Sequence, residues 1–447
     1  MTAGSGELAD LLRRTGLELV DDGKAVNVLP PKAAWRPVAA GNARPTAEVR
    51  SDHPDLVAEL NAQWRRLATE YEVLGPDGEF LIDIPASPRG WLKVRLTERW
   101  DLAGVLGPRP GQPEFVTLSP DGDSLLGVTT EEYSVWLIAV DRLGARLEAE
   151  ARVKAAESAE ERTAGWQSFG RWRSAPFRLR RAWLEGLAGN PAADASVLLR
   201  LLTEDPAERL WSALLDRELP PEVVAAWLSH PEWTVRRRLV ESRHLDAADR
   251  TRLLADAEDG DRPVLAMLTA TMNQPLTEDG YTSLATDADP RVRAPIARHP
   301  GLPVHLLAAL AADPDSRVRE SAALPPHPCP RTPGPAESEP ESTTAEVELS
   351  SRDRDPEIRY RALRDGRLSA ASVVRLLDDP QEWVRSAAAG DARLPARVLT
   401  TLLHDVETAR SAAGNPAVPV TAMHHLLDRA GVAHPADRAP GANFQRR

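Results

Sequence analysis

"AADPDSRVRESAAL", residues 311–324, sets an acid and a proline ahead of a valine and an arginine, and the arginine opens an alanine-rich turn. Close variants return as "TDADPRVRAPIA" at 286–297, "DRDPEIRYRAL" at 353–363 and "DDPQEWVRSAAA" at 378–389. In each, an acid is followed five residues on by an aliphatic residue and six on by arginine. Asp287, Val292 and Arg293 fill this frame, as do Asp313, Val318 and Arg319, then Asp353, Ile358 and Arg359, then Asp379, Val384 and Arg385. His230, Val235, Arg236 and His404, Ala409, Arg410 keep it with histidine first, while Asp205, Leu210, Trp211 and Asp259, Val264, Leu265 lose the arginine. The eight first positions are 25, 29, 28, 26, 40, 26 and 25 residues apart. A period near 25 marks a repeat array, and it outranks any domain division made from length alone.

Every period obeys one physical grammar. An apolar stretch such as "LPVHLLAALAADP" (302–314) places Leu306, Leu307 and Leu310 at helical spacing, and the Asp-Pro that follows ends the helix. A second short helix starts beyond it, with Asp315 or Ser316 as cap and Val318, Ala322 and Ala323 as a narrow apolar stripe. Turns such as "RHPGLP" (298–303), "GDARLP" (390–395) and "GNPAVP" (414–419) use proline to start the next helix. One such pair cannot bury its stripe alone, so neighbours must stack. The phrase that recurs is the joint between the two helices of a stacking unit.

The Asp to Val-Arg spacing resembles that of HEAT repeats, and the shorter period with its Asn-Pro and Leu-Pro turns is similar to the leucine-rich repeat variant family of bacterial solenoids. The resemblance covers residues 185–428. It implies a mostly α fold, a right-handed armadillo-type solenoid of about eight repeats of ~25 residues; the small α+β domain expected ahead of it resembles no recognised family. It further implies a hydrogen-bonded ladder between successive repeats, carried by Asp287, Asp313, Asp353 and Asp379 with Arg293, Arg319, Arg359 and Arg385. The family's founding member holds an N-terminal iron–sulfur cluster on several cysteines; this chain has one cysteine, Cys329, and no cluster carries over.

The expected domains are an α+β domain with an antiparallel sheet at 1–140, a helical connector at 141–184, repeats at 185–324 and 349–428, a disordered Pro/Ser/Glu-rich insertion at 325–348 and a disordered tail at 429–447. In the first of these, a helix over 53–74 precedes "EFLIDI", "WLKVRL", "EFVTL", "SLLGVT" and "YSVWLIAV", apolar runs bounded by turn formers, with "SPDGDS" (119–124) as a hairpin turn. These runs predict a small antiparallel sheet with helices on one side.

The chemistry available is limited. A lone cysteine forms neither an internal disulfide nor a thiolate metal site, His53 is the one histidine of the first domain, and no phosphate-cradling glycine loop is present. Asp83, Asp101, Asp121, Asp123, Glu131 and Glu132 offer carboxylates, but "DGDS" lacks the later ligands of a calcium loop. Adjacent His424 and His425 point about 100° apart on a helix, a poor metal geometry that makes both solvent-facing by expectation. No catalytic residue, metal or cofactor is therefore expected. A net charge of −12 argues against nucleic acid, and the 55 cations include only four lysines, a bias of high-GC bacterial genomes. The first twenty residues lack an export signal's pattern and no window is apolar enough for a membrane span, so a cytoplasmic chain is expected; its oligomeric state is not fixed by the sequence, with a monomer favoured.

One stretch hints at a site. "GWQSFGRWRSAPFRLRRAW" (165–183) interleaves aromatics with arginines, and Arg171, Trp172, Arg173, Arg178 and Trp183 are candidate partner contacts. The plainer reading has the aromatics sealing the first repeat against the N-terminal domain. The function expected is a non-enzymatic scaffold presenting a protein-binding surface to an unknown protein partner. Two alternatives stand beside it. One is a HEAT-like DNA-binding or alkylation-repair protein, for which Trp211, Trp227 and Trp233 with Glu232 are the candidates; the other is an unrecognised activity of the N-terminal domain.

Overall fold

The computed structural model describes residues 3–21, 27–39, 43–84, 90–169, 175–202, 208–215, 217–242, 245–258, 260–327 and 343–433. The first part of the chain runs α1 (Ala3–Thr15), β1 (Leu17–Asp21), α2 (Pro31–Val38), β2 (Ala47–Arg50), α3 (Leu56–Glu70), β3 (Glu79–Asp83), β4 (Trp91–Leu96), β5 (Phe115–Leu118), β6 (Leu125–Thr130) and β7 (Ser134–Val140). The strands form one seven-stranded sheet in the order β1-β4-β3-β5-β6-β7-β2, antiparallel at every pairing. Strands β3 to β7 are the five runs legible in the sequence, and "SPDGDS" turns β5 into β6. The edge strands β1 and β2 are short, each with a single buried residue, Leu17 and Val49, so they carry little of the alternation that reveals a strand.

Helices cover both faces of this sheet, not one. Leu60, Trp64, Leu67 and Ala68 of α3 join Phe80, Ile82, Val94, Leu126 and Leu137 in one core. Ala34 and Val38 of α2 join Leu81, Val116, Leu118, Leu125 and Ile138 in another. With alternate residues of a strand facing opposite ways, strands apolar on both faces call for two cover layers. Gly127 of β6 lets α2 approach closely: a Cβ there would lie 2.4 Å from a methyl of Val38.

The remainder is helical. The charged stretch read as one connector is two helices, α4 (Leu143–Ala155) and α5 (Ala159–Phe169), followed by α6 (Phe177–Gly189). Helix pairs then succeed one another: α7 (Ala195–Leu201) with α8 (Glu208–Leu215), α9 (Pro221–Leu228) with α10 (Trp233–Arg236) and its 3-10 extension Arg237–Glu241, α11 (Ala247–Ala255) with α12 (Arg262–Thr271), α13 (Glu278–Ala285) with α14 (Pro290–Ile296), and α15 (Val304–Ala311) with α16 (Ser316–Ala323). After the undescribed residues 328–342 come α17 (Thr344–Ser350) with α18 (Pro356–Arg364), α19 (Ala370–Leu376) with α20 (Glu382–Ala389), α21 (Ala396–Leu402) with α22 (Ala409–Ala413), and α23 (Val420–Ala430). Residues 344–348, assigned above to a disordered insertion, are the start of α17. A capping box, Thr343 with Glu346, closes its N-terminus and was visible in the sequence as T-x-x-E. The tail likewise begins later than residue 429, since α23 runs to Ala430.

The recurring joint is a double aspartate turn. Asp313 Oδ1 accepts the Asp315 N–H at 2.9 Å, and Asp315 Oδ1 accepts the Arg317 N–H at 2.8 Å. Asp287 with Asp289 and Asp353 with Asp355 repeat this pattern. The first bond ends one helix and the second caps the next, satisfying N–H groups that would otherwise be orphaned.

By their internal packing the residues form two compact units, one of 1–159 with 343–398, the other of 160–342 with 399–447. The linear reading does not contain this division. In the first unit α19 packs on α4 and α20 on α18. A reciprocal exchange fixes α4: Arg397 donates to the carbonyls of Lys154 (3.0 Å) and Ala156 (2.6 Å) at its end, while Glu157 accepts the N–H groups of Ala396 and Arg397 at the start of α21. Each helix end thereby gains the partners it lacks. In the second unit α14 packs on α12 and α16, α13 on α11 and α15, and α6 on α8, α22 and α23. Helix α6 thus stands beside α23 where the second helix of a pair stands elsewhere.

Candidate functional site

The candidate ladder residues divide into mated and unmated rungs. Arg293 donates from Nε and Nη2 to both carboxylate oxygens of Asp313, each at 2.8 Å, and from Nη1 to the carbonyl of Asp287 at 2.7 Å. Arg359 does the same with Asp379, at 2.6 and 2.7 Å, and with the carbonyl of Asp353 at 2.8 Å. The arginine therefore ties the backbone of its own turn to the acid of the turn 20 residues on. Its hydrogen bonds hold the Asp313 carboxyl below the ordinary range. Arg319 and Arg385 keep only the first half, donating from Nη1 to the carbonyls of Asp313 and Asp379, both at 2.7 Å. Asp287 meets Arg262 at 3.3 Å, and Asp353 pairs with no cation among the described residues.

The aromatic and arginine stretch at 165–183 serves a different seam from the one expected. Trp183 is buried and its Nε1 donates to the carbonyl of Leu403 at 2.7 Å. Phe169 is buried against the His404 ring, with the Arg429 guanidinium 4.8 Å from its centroid. Asn190 Nδ2 donates to the carbonyls of Ala413 and Asn415, both at 2.8 Å. The surface these groups seal belongs to the C-terminal helices. Arg178 is exposed beside an exposed Phe177, whereas Arg171, Trp172 and Arg173 lie outside the described residues.

His424 is half-buried, not solvent-facing, while His425 is exposed. His424 Nε2 lies 3.0 Å from Ser196 Oγ, the distance of a nucleophile and its base. Its other nitrogen settles the role. Arg200 is buried and its Nη1 stands 3.1 Å from His424 Nδ1, and a guanidinium only donates. Nδ1 is therefore the acceptor and Nε2 carries the hydrogen towards Ser196, whose own hydroxyl turns to Asp194 Oδ1 at 2.6 Å. In that tautomer His424 cannot take a proton from Ser196. Arg200 also donates to Asp428 and to the Val432 carbonyl, both at 2.6 Å, so the cluster clasps α23 to α7.

Trp227 is fully buried and donates to the Val235 carbonyl at 2.8 Å, while Trp233 bonds Asp261 and lies under Arg236. Glu232 is exposed; the side chain of Trp211 and Cys329 lie outside the described residues. Asp101 accepts from Asn61 and from the Gly104 N–H, Asp121 from Ser119, Asp123 from the Gly144 N–H, and Glu131 from Thr129. Burial raises the Asp83 carboxyl. Among the described residues no group of three or more His, Cys, Asp or Glu side chains could hold a metal ion. No helix among them is long and apolar enough to cross a membrane.

One feature escaped sequence reasoning. On α18 and α20 the rings of Tyr360 and Trp383 meet edge to face at 5.2 Å, with Trp383 39% exposed and Arg364 over the Tyr360 ring. Arg361 and Arg364 of the same helix are exposed. Trp383 falls at an outward position of the frame, directly before its valine, so its exposure was readable in principle. A groove of about 360 Å³ also opens between α9 and α11, lined by Leu219, Val224, Leu228 and Leu245 with Asp249 and Arg252 among its polar groups. The chain matches no family model and no curated protein.

Proposed function

We propose that the chain is a non-enzymatic helical-repeat scaffold, a solenoid of the leucine-rich repeat variant or HEAT-like kind, that holds a protein partner on the outward face of its second helices. The exposed Trp383, stacked edge to face on a half-buried Tyr360, carries this reading. An indole left open on a well-buried helical stack contributes little to the core, and aromatic groups beside arginine are the composition of protein-binding hot spots. The arginines of the mated rungs are used internally, so the open ones, Arg361 and Arg364, are left to meet a partner's acidic groups. The DNA alternative has less support, since Trp227 belongs to the core and the net charge is −12.

Affinity capture from a bacterial lysate tests this, using the full chain and a Tyr360→Ala, Trp383→Ala variant. Loss of two anchors lowers recovery of a retained protein by about tenfold or more while the melting temperature stays near that of the parent. Unchanged capture by the variant would place the binding surface elsewhere.

A further inference from the structure

Within the second unit, the first helices of the pairs stand side by side: α23 packs on α7, α7 on α9, α11 on α13 and α13 on α15. Between α9 and α11 the row parts and leaves the groove of about 360 Å³. The parting follows the 3-10 extension Arg237–Glu241, whose residues advance about 2.0 Å each against about 1.5 Å in an α-helix, so the chain travels further before α11 begins.

The lining of this groove is apolar and its surroundings are acidic. Pro221, Val224, Ala225 and Leu228 of α9 line it together with Leu219 and Leu245. Val224 and Leu228 lie one turn apart and are only half-buried, and Pro221 and Ala225 are exposed, so apolar surface is left open to a guest. Asp246 is exposed at the groove, where its Oδ1 accepts the Asp249 N–H at 2.7 Å and caps α11. Arg252, the one cation lining the groove among the described residues, is already paired with Asp249. With their caps, α9, α11 and α13 carry this one exposed cation against the carboxylates of Glu222, Asp246, Asp249, Asp256, Glu278 and Asp279.

We infer that the groove receives a basic amphipathic helix from a partner protein. With 8 and 9 residues, α9 and α11 run about 12 Å, the length of two helical turns. A docked helix therefore sets apolar side chains at i, i+3 or i+4 and i+7 against Val224, Leu228 and Leu245, while its Lys and Arg side chains meet the surrounding carboxylates. Charge selects the guest, since an acidic helix or a polyanion is repelled by the same carboxylates. The groove shares no residue with the Tyr360 and Trp383 surface and does not rest on the reading given to that surface.

Fluorescence anisotropy tests this with a labelled Lys/Leu peptide of about 18 residues, its leucines on one helical face, titrated with the full chain. The expected dissociation constant is about 1 to 100 μM at low salt, and it weakens as salt rises. Ala225→Arg sets a cation at an exposed position over the apolar lining and weakens binding by about tenfold or more. Asp246→Asn keeps a capping side chain but removes a charge, so it weakens binding by about threefold and flattens the salt dependence. The Tyr360→Ala, Trp383→Ala variant binds as the parent does. An absence of binding at about 500 μM chain would overturn the inference. So would equal binding of a peptide of the same composition with its leucines scattered around the helix, or an Ala225→Arg chain that binds like the parent. A parent chain that self-associates, and stops doing so on Ala225→Arg, would give the groove to a second copy and overturn it as well.

Discussion

At the scale of the residue, the same arginine in the same frame has two energetic lives. Arg359 and Asp379 are both almost fully buried, and their charges are compensated by a two-pronged hydrogen bond. Removing the cation strands a buried carboxylate. Arg359→Ala therefore costs about 3 to 5 kcal/mol in urea unfolding, the penalty for breaking a buried pair. Arg319 is exposed and holds only carbonyl oxygens, so Arg319→Ala costs about 1 kcal/mol. Combining Arg359→Ala with Asp379→Ala costs less than the two separately, because the second change removes the stranded charge. Equal losses for the two arginines would show that the rung is not the source of the stability.

At the scale of the element, the seam of α6 with α22 depends on a close approach that one glycine permits. A Cβ on Gly186 would lie 2.2 Å from the carbonyl oxygen of Arg410 and 2.7 Å from the Ala413 methyl. The obstruction is backbone, which cannot swing aside, so Gly186→Ala forces the helices apart and strains the bonds from Trp183 and Asn190. A loss of at least about 2 kcal/mol is expected, seen as a lower melting temperature and faster hydrogen exchange in 177–189 and 409–430. A melting temperature equal to or above the parent's would contradict the seam. This is also where sequence reading reached its limit. The frame made the joints and the proline-started helices legible and narrowed the cap to Asp315 or Ser316, of which Asp315 caps, because each is local chemistry repeated at fixed spacing. Which helix α6 packs on was not legible: its apolar stripe fits any neighbour, and Leu403 lies 220 residues from Trp183. The inward turn of His424 was hidden for the same reason, its partner Arg200 being far away in sequence.

At the scale of the whole molecule, sequence order and packing order differ. Two segments beyond residue 342 are held by parts of the chain that precede residue 328. Residues 343–398 share a unit with 1–159, where Arg36 meets Asp378 and Arg352 meets Glu148, at 2.7 and 2.8 Å. Residues 399–432 share a unit with 160–327, through Trp183, Asn190 and Arg200. A linear array read from sequence would bind its second run chiefly to the repeat just before the insertion. The direct measurement is a single backbone cut. With a specific protease site placed at residue 335, cleavage yields fragments 1–335 and 336–447. The packing predicts that they co-elute as one particle in size exclusion at micromolar concentration, with unchanged helical circular dichroism, until denaturant parts them. Fragments that separate in native buffer would contradict it.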